Sequence, residues 1–386
     1  MRVVYFSQAY STHDHRFLSA LAKTEHEVFY LRLEGGRRQV EDRPVPPEIQ
    51  QVQWSGGRET FHWREVPRLV YDFRRVVREL RPDLVHAGPI QTCAFVAALS
   101  GFRPLLTMSW GFDLMQDAER NQWWRAITRY TLRRSTFFVS DAQVTRAKAI
   151  EYGMHPKRTA VFPWGVDLEK FAPARGHRLK QEPARSAART VRKPPKAGRA
   201  ESTPFTLFCN RSWEPRYGVD VLAKAFVQVA AEEPRTGLLL LGGGSMAQPI
   251  RRILMNGNAL DQVQLPGQVP QADLPRWYQM ADLFISPSHV DGSSVSLMEA
   301  LACGLPALVS DIPANQEWVQ DGVNGWLFPD GDASALAKKI LAVIEQRGEL
   351  GAVRRAARRS AEERADWSKN FRVLLQAYQQ AVEAAR

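Results

Sequence analysis

Two rhythms of apolar residues alternate along this chain: short continuous runs of β-prone residues, and longer stretches in which apolar residues return every third or fourth position. Residues 3–7 (VVYFS) read as a strand followed by a helix around 16–23, and residues 27–31 (EVFYL) as the next strand. A long amphipathic helix near 67–80 leads into 83–86 (DLVH). Strands at 104–108, 136–139 and 160–163 follow, separated by helices near 121–133 and 144–152. After an interruption at 173–203 the rhythm restarts, with strands at 205–209, 237–241, 263–265, 281–286, 307–310 and 326–328 and helices near 220–232, 249–256 and 274–280. Strand and helix in regular alternation are the signature of a parallel sheet covered on both faces.

The expected fold class is therefore α/β, with two Rossmann-like, doubly wound domains. A length of 386 residues exceeds what one core usually holds and agrees with that division. The expected boundaries are 1–172, a linker at 173–203, and 204–365, with an amphipathic helix at 366–386 long enough to cross back to the first domain. Two such domains facing each other across a cleft would take their ligands at the carboxyl ends of the strands.

Composition changes this picture little: 44% apolar and 24% charged residues describe an ordinary globular protein. No apolar run approaches the roughly 20 residues that span a bilayer, and MRVVYFSQAY turns polar too soon for a signal peptide. Cys93, Cys209 and Cys303 lie far apart in apolar stretches, which predicts buried free thiols in a reducing cytoplasm.

The net charge of +11 suggests nucleic acid only until it is located. Residues 173–203 hold nine bases against two acids, a net +7, in a Pro-, Ala- and Arg-rich segment almost without large apolar residues. It reads as a solvated connector or, alternatively, as a segment drawn to anionic headgroups or another polyanion; no nucleic-acid partner is expected. A second basic stretch, residues 120–135 (RNQWWRAITRYTLRRS), sets Trp123, Trp124 and Ile127 at helical spacing among five arginines. This is either a helix packed on the sheet with solvated arginine stems, or a surface helix that touches a membrane.

The chemistry concentrates in residues 288–306 (SHVDGSSVSLMEALACGLP), directly after the strand-like ADLFIS. Val295, Leu297, Met298, Leu301 and Ala302 recur at helical spacing until Gly304 and Pro306, so Asp291 and Glu299 bracket a helix N-terminus. Gly292 allows close backbone approach, Ser293 and Ser294 offer hydroxyls, and the amides opening the helix at Val295 point outwards with its dipole, which together suit a diphosphate. Glu299, one turn on, is placed to accept the two hydroxyls of a ribose, while Asp291 falls on the sugar side. Taken alone, the pattern also fits an N-capping aspartate and a solvated helix glutamate.

Residues 286–328, with DGSSVSLMEALACGLP at their centre, closely resemble the donor-binding region of the family 4 retaining glycosyltransferases (glycosyl transferases group 1), which have the GT-B fold. DLVHAG (83–88), WGVDLEKFAP (164–173) and LLLLGGG (238–244) extend the resemblance over nearly the whole chain. It implies a donor domain in which Arg211, in CNRSWEPRYGVD (209–220), meets the diphosphate; the second cation of the family's pair is either Arg216 or missing, because Tyr217 stands at the lysine position. The loop 267–271, with Val269, is expected beside the base. Asp291 stands where the family usually has glutamate. In the acceptor domain, TMSWGFD (107–113) keeps Asp113 but has Trp110 where many relatives have histidine, so His86 is the substitute candidate, and His13 and Asp14 of the first loop are expected near the acceptor.

The resemblance implies a retaining glycosyltransferase that moves a hexosyl group from a UDP- or GDP-sugar to a glycan or lipid-linked acceptor, with Asp291, Glu299, His86 and Asp14 as catalytic candidates. No metal and no cofactor is expected. The protein is placed in the cytoplasm, with peripheral contact to an anionic membrane as an added expectation, in cell-envelope polysaccharide assembly. The alternative is a nucleotide-sugar- or glycan-binding protein that kept the fold and lost the chemistry; a GT-B epimerase or phosphorylase is a third reading.

Overall fold

The computed structural model describes residues 1–35, 41–174 and 204–386. Most of the expected connector at 173–203, with its basic charge, lies outside the described residues. The chain divides into two compact units, residues 1–164 with 368–386, and residues 165–367.

The first unit is built on seven strands: β1 (Arg2–Ser7), β2 (Glu27–Arg32), β3 (Gln50–Gln51), β4 (Leu84–Ala87), β5 (Leu105–Met108), β6 (Phe137–Ser140) and β7 (Thr159–Val161). The second has six: β8 (Phe205–Cys209), β9 (Thr236–Leu241), β10 (Val263–Gly267), β11 (Leu283–Ser286), β12 (Ala307–Ser310) and β13 (Gly325–Phe328). Their orders are β3-β2-β1-β4-β5-β6-β7 and β10-β9-β8-β11-β12-β13. Neighbouring strands pair in parallel. Both sheets are the doubly wound α/β type, with the order reversing between β1 and β4 and between β8 and β11.

Burial on both faces explains why these strands read as continuous apolar runs. In the second unit Leu207, Cys209, Leu283, Ile285 and Leu308 enter one core cluster. The residues that alternate with them, Phe208, Phe284, Ala307 and Val309, enter the other. The helix Cys93–Ser100 was not anticipated, because CAFVAALS is apolar on every side and shows no 3.6-residue contrast. The helix Leu350–Arg364 was missed for the opposite reason: its buried face is Leu350, Ala356, Ala357 and Ala361, three of them too small to stand out among arginines.

One boundary departs from the expectation. Residues 165–172 belong to the second unit, where Val166 and Phe171 are buried and Val166 bridges to Asp366. The helix Trp367–Glu383 packs in the first unit through Leu374, Ala377, Tyr378 and Ala381. There the Tyr378 hydroxyl lies 2.7 Å from His86 Nδ1. Replacing Tyr378 by Phe leaves that buried nitrogen without its partner and should cost about 1–3 kcal/mol in urea denaturation.

Burial also drives the His86 pKa down to about 3, so the folded chain keeps the ring neutral. The unfolded chain protonates His86 near pH ~6.5 and therefore binds more protons below that value, so this residue's contribution weakens as pH falls from about 6.5 towards 3. Paired denaturation curves should show the deficit of His86→Gln relative to the wild type shrinking across that window.

Candidate functional site

The order reversal between β8 and β11 opens a crevice at their carboxyl ends, the place where open parallel sheets bind ligands. β8 delivers Asn210 and Arg211, and the loop after β11 delivers Asp291 to Ser294, with Ser294 as the N-cap of the helix Val295–Ala302. The Arg211 guanidinium gathers this loop. One terminal nitrogen donates to Ser294 Oγ at 2.8 Å and to Ser296 Oγ at 3.0 Å, the other to Asp291 Oδ2 at 2.6 Å. Tyr217 lies flat beneath it, 4.4 Å from guanidinium carbon to ring centre. Burial pushes the Asp291 carboxyl above its ordinary value against the opposing pull of Arg211. Gly292 N donates to Asp291 Oδ1, and Ser293 Oγ accepts from the indole nitrogen of Trp318 at 3.1 Å, which pins the turn from behind.

Glu299 is 3% exposed, not solvated. Its Oε2 accepts from the hydroxyl of Tyr278 at 2.8 Å, and its Oε1 lies 3.4 Å from Gln271 Nε2. The Tyr278 hydroxyl in turn accepts from Asn210 Nδ2 at 2.9 Å, so β8, the helix Leu274–Met280 and the helix Val295–Ala302 are tied through one buried phenol. Among the described residues, no group of three or more His, Cys, Asp or Glu comes together as a cation site.

In the first unit the expected residues separate. Asp14 is the capping-box residue of the helix Thr12–Leu21, taking Ser11 N and Ser11 Oγ on Oδ2 and the Tyr5 hydroxyl on Oδ1. Its burial raises the pKa to about 6. Asp113 staples two loops, accepting from Ile90 N on one oxygen and from Ser109 Oγ, Trp110 N and Leu114 N on the other. Burial again raises the pKa to about 6. His86, 1% exposed, packs edge-on against Tyr5 at 4.9 Å. These positions correct the expectation for three residues: Asp14, Asp113 and His86 are enclosed and engaged within the unit, and a histidine held neutral down to about pH 3 is no proton shuttle at neutral pH. Trp110 and His13 do meet, at 5.7 Å, and both contact Trp164, at 5.2 and 4.7 Å.

Residues 11–170 match the model of Glycosyltransferase Family 4, and residues 191–373 match that of Glycosyl transferases group 1. The chain belongs to this glycosyltransferase family. The GDP-mannose-dependent monoacylated alpha-(1-6)-phosphatidylinositol monomannoside mannosyltransferase of Corynebacterium glutamicum is 25% identical over 315 residues, 78% of this chain and 77% of that protein. The D-inositol 3-phosphate glycosyltransferase of Geodermatophilus obscurus is 30% identical over 251 residues, 63% of this chain and 52% of that one. The amylovoran biosynthesis glycosyltransferase AmsK of Erwinia amylovora is 34% identical over 129 residues, 32% of each. The match thus spans about a third to a half of the length of the latter two relatives.

Among solved structures, sucrose-phosphate synthase from Thermosynechococcus elongatus aligns over 100% of both chains with a TM-score of 0.78 at 17% identity. Anabaena HepE, solved in complex with UDP and glucose, covers 98% of this chain and 99% of its own with a TM-score of 0.76 at 18% identity. At such identities the likeness is one of fold, and it bears out the GT-B class of two Rossmann-like domains.

The chain thus brings Arg211, Asp291, Gly292, Ser293, Ser294, Val295 and Glu299 to one crevice. Val269 packs against the core beside it. Tyr217, at the position where a second cation was sought, is the plate beneath Arg211. Arg216 contributes its carbonyl oxygen to His289 N. Tyr278, Asn210, Gln271 and Ser296 were not singled out from sequence. A tyrosine in the helix before the ADLFIS strand looks like core, and only the distances show its hydroxyl facing Glu299. Because Arg211 and Asp291 are 10% and 16% exposed, removing one charge strands the other. Arg211→Met should cost about 3–5 kcal/mol of stability, and Arg211→Met with Asp291→Leu should recover much of it in urea titrations.

Proposed function

We propose that this glycosyltransferase transfers a hexosyl group, with retention of configuration and without a metal ion, from a UDP- or GDP-sugar to a glycan or lipid-linked acceptor. The observation that carries the reading is the convergence on one crevice of the Arg211 guanidinium, the Gly292–Ser294 turn at a helix start, and Glu299 one turn further on. Support for the donor class comes from relatives: one is named as GDP-mannose-dependent, and HepE was solved with UDP and with UDP-glucose.

In this reading the diphosphate competes with Asp291 for Arg211. A guanidinium suits that exchange, because its paired donors match phosphate as well as carboxylate. The bond from the anomeric carbon to the phosphate oxygen breaks, the bond to the acceptor oxygen forms on the same face, and the departing phosphate takes the acceptor's proton. Negative charge grows on the diphosphate, where Arg211 and the helix amides stabilise it. Glu299 holds the ribose hydroxyls, and Tyr278, through Glu299 Oε2, fixes the carboxylate's orientation as a positioning residue. Asp291, released from Arg211, faces the sugar. His13 and Trp110 contribute to the acceptor side. The work belongs at the cytoplasmic face of the membrane in envelope polysaccharide assembly.

A panel of UDP-, GDP- and ADP-sugars in thermal shift should show one nucleotide stabilising the protein. Glu299→Ala should then raise the donor KM at least about tenfold while the fold survives, and Tyr278→Phe should raise it less, since the carboxylate loses an orienting hydrogen bond but stays in place. Unchanged donor kinetics in Glu299→Ala would sink the ribose assignment. Substitution at Asp291, Trp110 and Tyr217 relative to the family pattern favours one rival, a binding protein without turnover; slow release of free nucleotide from the preferred donor excludes it.

A further inference from the structure

The helices Val66–Leu80, Cys93–Ser100 and Gln122–Arg134 lie in one layer of the first unit. Arg74 donates from the first to the carbonyls of Leu99 and Ser100, and Phe95 of the second packs on Tyr130 of the third at 5.9 Å. Trp63, just before the first helix, touches Phe95 at 6.2 Å and Trp124 at 5.8 Å, so a single indole spans the layer. Among the described residues the exposed large aromatics are Trp63, Tyr71 and Trp123, at 37, 72 and 62%, and all three stand on this layer.

The helix Gln122–Arg134 buries Ile127, Thr128, Thr131 and Leu132 and turns Trp123, Arg125, Arg129 and Arg133 outwards, with no acidic residue along its length. Two things here run against an ordinary solvated face. Indoles and phenols left in water forgo burial, and although Arg125 is paired with Glu119 just before the helix, Arg129 and Arg133 repel one another with no acid on the helix between them. Both are resolved at an anionic lipid surface, where aromatic rings settle at headgroup level and arginines meet phosphates while their stems cover apolar surface.

We propose that this aromatic and arginine face of the first unit docks on an anionic bilayer. The inference stands on the first unit alone and does not depend on which donor is used. It differs from attraction through the basic residues 173–203, because it requires the rings of Trp63 and Trp123. A soluble polyanion would satisfy the arginines but leave the three rings in water, which is why lipid is favoured.

The test is co-sedimentation of the full chain with vesicles of phosphatidylglycerol and phosphatidylcholine, and of phosphatidylcholine alone, at about 0.15 M salt, where electrostatics beyond about 8 Å are screened. Binding is expected to the mixed vesicles only. Trp123→Ala, a change at an exposed position that leaves the packing intact, and Trp63→Ala with Trp123→Ala should each lower the partition coefficient, the pair by at least about tenfold. Arg129→Gln with Arg133→Gln should lower it by about fivefold for each arginine. Trp123→Phe should restore most of the binding lost in Trp123→Ala. Vesicle binding untouched by the tryptophan changes would assign attachment to residues 173–203 and overturn the proposal. So would absence of binding to mixed vesicles, or equal and tryptophan-independent binding to dextran sulfate.

Discussion

An arginine at the end of a buried parallel strand must find partners for its donors, and in this chain that demand organises the second unit's crevice. Arg211 leaves β8 where the sheet reverses order, and its guanidinium collects Asp291, Ser294 and Ser296 from the neighbouring loop and helix. Each of those contacts is charge-assisted and therefore stronger than a neutral hydrogen bond. Tyr217 closes the lower side and Trp318 fixes Ser293 from behind. The loop has a defined shape before any ligand arrives, so little ordering remains to be done on binding.

A second constraint is stacked on the first. Glu299 sits one helical turn beyond the loop, in a place where water does not solvate it, and its carboxylate depends on Tyr278 and Gln271. Tyr278 is itself held by Asn210, the residue before Arg211. The two acidic positions are thus linked through adjacent residues of one strand end, Asn210 towards Glu299 and Arg211 towards Asp291. They behave as parts of one network, not as two independent carboxylates, and energies measured at one should depend on the other.

Much of the fold was legible because buried parallel strands write themselves as unbroken apolar runs, and FTLFC and ALVS appear as strands with the bounds expected of them. Where a helix is apolar throughout, as at Cys93–Ser100, the periodic signal vanishes. In the second unit the helix start expected between Asp291 and Glu299 lies at Ser294, the N-cap of the helix Val295–Ala302. In the first unit the same kind of reading failed for His86, Asp14 and Asp113. Polar residues at strand ends and helix starts are needed for capping and loop stapling as well as for chemistry, and sequence does not tell these uses apart. His86 shows the limit plainly: its partner, Tyr378, is 292 positions away.

That separation carries a consequence for how the chain is made. The second unit is one continuous stretch, residues 165–367, whereas the first is interrupted by it and regains Leu374, Ala377 and Tyr378 only afterwards. During synthesis the earlier-made sheet must wait, with the His86 side of its core uncovered, while the later-made one has everything it needs. The usual order of domain completion, amino-terminal first, is therefore inverted here. The helix Trp367–Glu383 is the latch that closes the first unit's core over His86.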